Sequence, residues 1–141
     1  MQPYDAGSAA HQNTMVVILE DDGPTCDLYQ LVLEHQGFRI GIFSDHDQCC
    51  DFIRSHQPDV LIFDVLGPTQ NGLSVLDNLY AELGDRLPPV IVATALQQYQ
   101  ISDHPALRHL PRLRMLHKPF DIYDMISAIE ACVVAPLEAC V

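Results

Sequence analysis

Basic residues are scarce in this chain. It carries 7 Lys and Arg against 19 Asp and Glu over 141 residues, for a formal net charge of −12. Nucleic acids and anionic membranes are bound through clustered cations, so this balance argues against both as direct partners. No apolar run reaches membrane-spanning length, and no basic-then-apolar signal segment opens the chain. A cytoplasmic protein is the expectation. The 5 cysteines, Cys26, Cys49, Cys50, Cys132 and Cys140, are odd in number and show neither a CxxC pair nor zinc-type spacing. They read as incidental or buried thiols of a reducing compartment. The 7 histidines are scattered without metal-ligand spacing.

Hydrophobic residues make up 48% of the chain, enough for a real core, and its length suits one domain. Residues 1–14 are polar and aperiodic and read as a flexible leader. Residues 15–133 form the expected domain, and 134–141 a short tail around Pro136.

Within the domain, short apolar runs alternate with helix-period stretches. Val16–Leu19, Phe38–Phe43, Asp59–Asp64, Pro89–Ala93 and Arg114–His117 read as strands. Pro24–Gln36 reads as a helix with Leu28, Leu31, Val32 and His35 on one face, stopped by Gly37. Asp45–His56 turns Cys49, Phe52 and Ile53 inward, and Gly72–Leu83 carries a stripe of Leu73, Leu76, Leu79, Tyr80 and Leu83. Asp121 caps a last helix with Ile122, Met125, Ile126, Ile129 and Val133 on its apolar side. Pro105 makes a long helix over Leu96–Leu110 doubtful. Continuous rather than alternating apolarity in the strands predicts a parallel sheet covered on both faces, an α/β sandwich. Open sheets of this kind bind ligands at the carboxyl ends of their strands.

Those ends carry the chemistry. The first strand, in VVILEDDG, runs into Glu20, Asp21 and Asp22. Two like charges about 4 Å apart repel by roughly 4 kcal/mol at an effective dielectric near 20, so three adjacent carboxylates call for solvent, a helix N-terminus or a cation. Asp22 reads best as a helix-entry residue. The third strand delivers Asp64, the fourth Thr94 and the fifth Lys118. In a parallel sheet these groups meet on one rim. Carboxylates with a hydroxyl and an ammonium suit a divalent metal beside a phosphoryl group, and Mg²⁺ takes one or two carboxylates together with waters and phosphate oxygens.

The motifs LEDD (Leu19–Asp22), FDVLGP (Phe63–Pro68), NGL (Asn71–Leu73), ATA (Ala93–Ala95) and HKPF (His117–Phe120) stand in order on these elements. In this the chain resembles a receiver domain of the two-component response-regulator family, over about Met15 to Val133. The resemblance implies a flavodoxin-like (βα)5 doubly wound fold with strand order 2-1-3-4-5. It implies a signalling domain rather than an enzyme, with Asp64 as phospho-acceptor from a sensor histidine kinase or phosphotransfer protein. Asp21, Asp64 and the backbone carbonyl of Leu66 would hold Mg²⁺, with Glu20 acting through water. Lys118 would pair with Asp64 before transfer and with a phosphoryl oxygen after it, and Thr94 would donate to another. A cis Lys118–Pro119 bond is also implied. The downstream partner is a further protein, bound by a monomer or a phosphorylation-dependent dimer.

The chain departs from the pattern in two places. Met115 stands where the family usually has a switching aromatic, and HPALRHLPRLRM (His104–Met115) replaces the usual small-residue approach to the fifth strand. A short or displaced helix is expected there, with Arg108, Arg112 and Arg114 facing an acidic partner. The resemblance implies that the positions two beyond Asp64 and Thr94 tune loss of the acyl phosphate. Here they are the apolar Leu66 and Leu96, so slow loss is expected. Two other functions remain open. One is a receiver-like interaction module that has stopped using phosphate. The other, an aspartyl phosphatase or flavin carrier, is disfavoured by Leu66 and by the acidic turn EDDG.

Overall fold

The computed structural model describes residues 13–65, 71–94 and 112–140. Five parallel strands form one sheet: β1 (Met15–Leu19), β2 (Arg39–Phe43), β3 (Val60–Val65), β4 (Val90–Thr94) and β5 (Leu113–His117). Their order is β2-β1-β3-β4-β5. Four helices are described: α1 (Gly23–His35), α2 (His46–His56), α3 (Asn71–Leu83) and α4 (Ile122–Cys140). A short 3₁₀ turn, Gly84–Arg86, leads from α3 toward β4.

Alternation along the strands splits the core into two layers. Val17, Leu19, Leu61, Phe63, Val90 and Val92 face Cys49 and Ile53 of α2 and Leu76 and Leu79 of α3. Val16, Ile18, Val60, Ile62 and Ile91 face Tyr29 and Leu33 of α1 and Met125, Ile126 and Ile129 of α4. With helices on both sides, the central strands have no solvated face, which is why VVIL, VLIF and VIVA read as unbroken apolar runs.

Helix ends follow local chemistry. Asp22 caps α1, its carboxylate accepting from the Thr25 N–H at 3.0 Å. Asp45 caps α2 through the Gln48 N–H at 3.0 Å. At the start of α4, Asp121 accepts from the Asp124 N–H at 2.9 Å and Asp124 accepts from the Asp121 N–H at 3.2 Å, a reciprocal box. Gly37, at φ +96°, takes the left-handed turn that ends α1.

The buried face of α1 differs from the expected one. Tyr29 and Leu33 are buried, Val32 is half-buried, and Leu28 and Leu31 are 52% and 70% exposed. Burying an aromatic ring and Leu33 one turn apart removes more apolar surface than burying Leu28 and Leu31 would, and the helix turns accordingly. At the other end, the α4 backbone stays helical to Cys140, past the Val133 boundary expected from the sequence. The expected leader over 1–12, Leu66, Leu96 and the segment from His104 to Pro111 lie outside the described residues.

Candidate functional site

Strand register assembles the acids. Leu19 pairs with Phe63 across β1 and β3, so the next residues, Glu20 and Asp64, leave the sheet side by side. Both follow the parity of Ile18 and Ile62 and so emerge on the α1 and α4 side. Asp64 pairs with Ala93 on β4, and Thr94 pairs with His117 on β5. The Lys118 N–H donates to the Thr94 carbonyl at 2.8 Å, which seats the start of the β5–α4 turn beside the end of β4. The Lys118–Pro119 bond in that turn is cis.

The Lys118 ammonium reaches back to Asp64. Its Nζ donates to Oδ1 at 2.8 Å and lies 2.7 Å from Oδ2. The Asp64 side chain is only 2% exposed, whereas that of Lys118 is 28% exposed. A carboxylate this deep needs a counter-charge, and Lys118 supplies it. Among the described residues, Oδ2 has this close ammonium contact and no hydrogen bond of good geometry.

Glu20 is also buried. Its Oε2 accepts the N–H groups of Asp21 and Asp22, at 3.0 and 3.1 Å, which fixes the carboxylate under the turn. Burial, and then hydrogen bonding to Asp64, push its pKa from the ordinary 4.5 up to about 7. Three further factors act more weakly: the backbone donors pull it down, the Asp64 charge pushes it up, and Lys118 pulls it down. Two buried carboxylates, Asp64 and Glu20, share a single ammonium, and the reluctant ionisation of Glu20 follows from that crowding. The pocket holds more negative charge than Lys118 neutralises, so it has room for a proton or a cation.

Asp21 is exposed at the rim and Asp22 is occupied as the α1 cap. Thr94 is fully buried at the end of β4. Met115, level with Val92 on β5, is half-buried against the Phe63 side of the core and shares a sheet face with Thr94. Among the described residues, no three His, Cys, Asp or Glu side chains are gathered closely enough to hold a metal by themselves. A hard cation that keeps its waters needs fewer protein ligands than that, and the all-oxygen donor set of Glu20, Asp21 and Asp64 fits Mg²⁺ in kind.

Two neighbours were not singled out from the sequence. The Cys26 thiol donates to the Glu20 carbonyl at 3.3 Å. Tyr29 is buried, and its phenol is pushed well above its ordinary pKa by burial and by the charges of Asp64 and Glu20. It forms part of the floor beneath the acids. Its place one turn along α1 from Cys26 is the signal that points to it, against the Leu28–Leu31 face that the sequence pattern favours.

Comparison with known proteins points the same way. A family model described as the response regulator receiver domain matches residues 16–130. The transcriptional regulatory protein PdtaR of Mycobacterium tuberculosis is 29% identical over 119 residues, covering 84% of this chain and 56% of PdtaR. The DNA-binding response regulator MtrA of Mycobacterium leprae is 28% identical over 80 residues, covering 57% of this chain and 34% of MtrA. The chain thus spans about half, or less, of the length of these relatives. Among solved structures, the receiver domain of the Francisella response regulator 1452 superposes with a TM-score of 0.74 at 22% identity, over 88% of this chain and 99% of that one. TrrA of Thermotoga maritima, solved with Mg²⁺-BeF, gives 0.69 at 18% identity over 84% and 98%. At these identities the structures speak for the fold.

Proposed function

Because the chain belongs to the response regulator receiver domain family, we propose that it is a phosphorylation switch whose acceptor is Asp64. The donor is a phosphohistidine on a sensor kinase or phosphotransfer protein, or a small acyl phosphate. An Asp64 carboxylate oxygen attacks phosphorus as the bond from phosphorus to the donor's nitrogen or oxygen breaks. The product is an aspartyl phosphate, and the donor leaves with the electron pair.

The observation that carries this reading is the buried Asp64–Lys118 pair with Glu20 beside it. Two carboxylates, Asp64 and Glu20, are buried here beside one ammonium, an excess of negative charge that a purely structural ion pair does not need. Lys118 lies against both oxygens of the acceptor and orients it. After transfer its ammonium follows the new negative charge onto a phosphoryl oxygen, while Thr94 donates its hydroxyl to another. Asp21, Asp64 and the Leu66 carbonyl are the proposed direct ligands of Mg²⁺, and Glu20 acts through water. When bound, the ion supplies positive charge against the phosphoryl oxygens.

Withdrawal of Thr94 toward the phosphoryl group opens space on the sheet face that it shares with Met115. A flexible thioether can fill that space without the rotation an aromatic ring needs. The altered face is then read by a downstream protein. A second reading, a receiver-like module that binds its partner without phosphate, is favoured by Met115 alone. Acetyl phosphate with Mg²⁺ separates the two: gain of one phosphoryl group, lost in Asp64→Ala, supports the switch, and an unmodified wild-type protein supports the module.

A further inference from the structure

Three of the chain's seven cations, Arg86, Arg112 and Arg114, belong to elements at or near the end of the sheet opposite Asp64. The amino ends of β3, β4 and β5 open there onto a recess of about 310 Å³. Its walls include Arg86 and Arg112, Gln57, Asp59, and the rigid corners Pro58, Pro88 and Pro89, with Cys132 of α4 also lining it. Backbone hydrogen bonds lace the loops together: Leu61 N–H to Pro89 O at 2.9 Å, Val90 N–H to Arg112 O at 3.0 Å.

Arg112 is held in place, since a guanidinium nitrogen donates to the Leu87 carbonyl at 2.7 Å. A guanidinium carries five N–H donors in a planar fork, and this bond uses one of them. Burial raises the pKa of the Cys132 thiol, while Arg114 and Arg112 both pull it down. Among the described residues one carboxylate, Asp59, lies on the wall, and it accepts from the Met15 N–H at 2.8 Å.

We propose that this recess binds a small phosphate-type oxyanion between the guanidinium groups of Arg86 and Arg112. In a protein of charge −12, two arginines facing one pre-formed concavity create a local field opposite in sign to the whole. Paired guanidinium forks match tetrahedral oxyanions. Among the described residues no aromatic side chain lines the recess, so those residues offer no stacking platform for a nucleobase, and its volume suits an anion of pyrophosphate size. Arg112 thus lies at the amino pole of the sheet.

The test is an ¹⁵N NMR titration of the whole chain with pyrophosphate, in low salt and without Mg²⁺. Saturable shifts of the amides of Gln57, Asp59, Arg86 and Arg112 are expected, with Kd at or below about 1 mM. Arg86→Gln leaves the Arg112–Leu87 hydrogen bond in place and weakens binding about tenfold, the loss of one charge-assisted contact. Asp64→Ala leaves binding unchanged, so the result is independent of the phosphorylation reading. Three results would overturn the proposal: no saturable shift, shifts centred on Asp64 and Lys118, or binding of an acidic peptide to this face with no response to pyrophosphate.

Discussion

The Lys118 ammonium sits 2.8 Å from Oδ1 and 2.7 Å from Oδ2 of Asp64, joining the end of β3 to the turn after β5 across the carboxyl edge of the sheet. Fifty-four residues apart in sequence, the two form a partly buried ion pair. Lys118 is also the sole lysine of the chain. Removing it strands a carboxylate that is almost wholly out of water. Lys118→Ala is expected to lower stability by about 1–3 kcal/mol, less than a fully buried pair because the ammonium is partly solvated. In phosphotransfer it should cut labelling of Asp64 at least tenfold. Urea unfolding and acetyl phosphate labelling measure the two effects, and unchanged labelling would remove Lys118 from the mechanism.

Glu20 gives a pH dependence with a definite sign. Its pKa is about 7 in the fold against an ordinary 4.5. Between those values the native state holds a proton that the unfolded chain has released. Without metal, stability therefore falls as pH rises through this window, by an amount on the order of 2 kcal/mol, and levels off above it. Glu20→Gln flattens the curve. Saturating Mg²⁺ favours the ionised form and should cancel the fall. Thermal melts at several pH values, with Mg²⁺ and with EDTA, provide the measurement; a wild-type curve as flat as that of Glu20→Gln would contradict it.

The α1 surface distinguishes two assignments of the same helix. Leu33 is fully buried and Leu31 is 70% exposed. Leu33→Ala is expected to cost about 2–5 kcal/mol as a core deletion. Leu31→Ala should stay within about 0.5 kcal/mol of wild type. Denaturant midpoints decide the matter, and the opposite ranking would restore the face expected from the sequence.

This helix shows where the sequence is a weak guide. The strands were legible because burial on both faces leaves a one-letter signature, VVIL, VLIF or VIVA, that does not depend on which helix covers which side. The order β2-β1-β3-β4-β5 came from family resemblance, since five similar runs do not encode their own neighbours. Both leucine-bearing faces of α1 are plausible on a helical wheel; the choice is made by Tyr29 packing against the sheet, which is tertiary information. At the site, Asp64, Glu20 and Lys118 were legible as strand-end residues, and the structure brings them together. The direct coupling of Glu20 to Asp64 was not legible, because it depends on the β1–β3 register rather than on spacing.

On the proposed reading, Leu66 and Leu96, two residues beyond Asp64 and Thr94 in the sequence, set the lifetime of the phosphorylated form. Their apolar side chains carry no group that could orient a water. The aspartyl phosphate is therefore expected to persist for many minutes after the donor is removed, and a polar replacement, Leu66→Asn, to shorten its life several-fold. Following the decay of the phosphoryl mass tests this, and a wild-type lifetime of seconds would contradict it.

The most direct measurement is intact-mass analysis after incubation with acetyl phosphate, for wild type and Asp64→Ala, with and without Mg²⁺. The account predicts one added phosphoryl group on wild type, present only with Mg²⁺ and absent from Asp64→Ala. Equal modification of both proteins, or none of wild type with Mg²⁺ present, would contradict it.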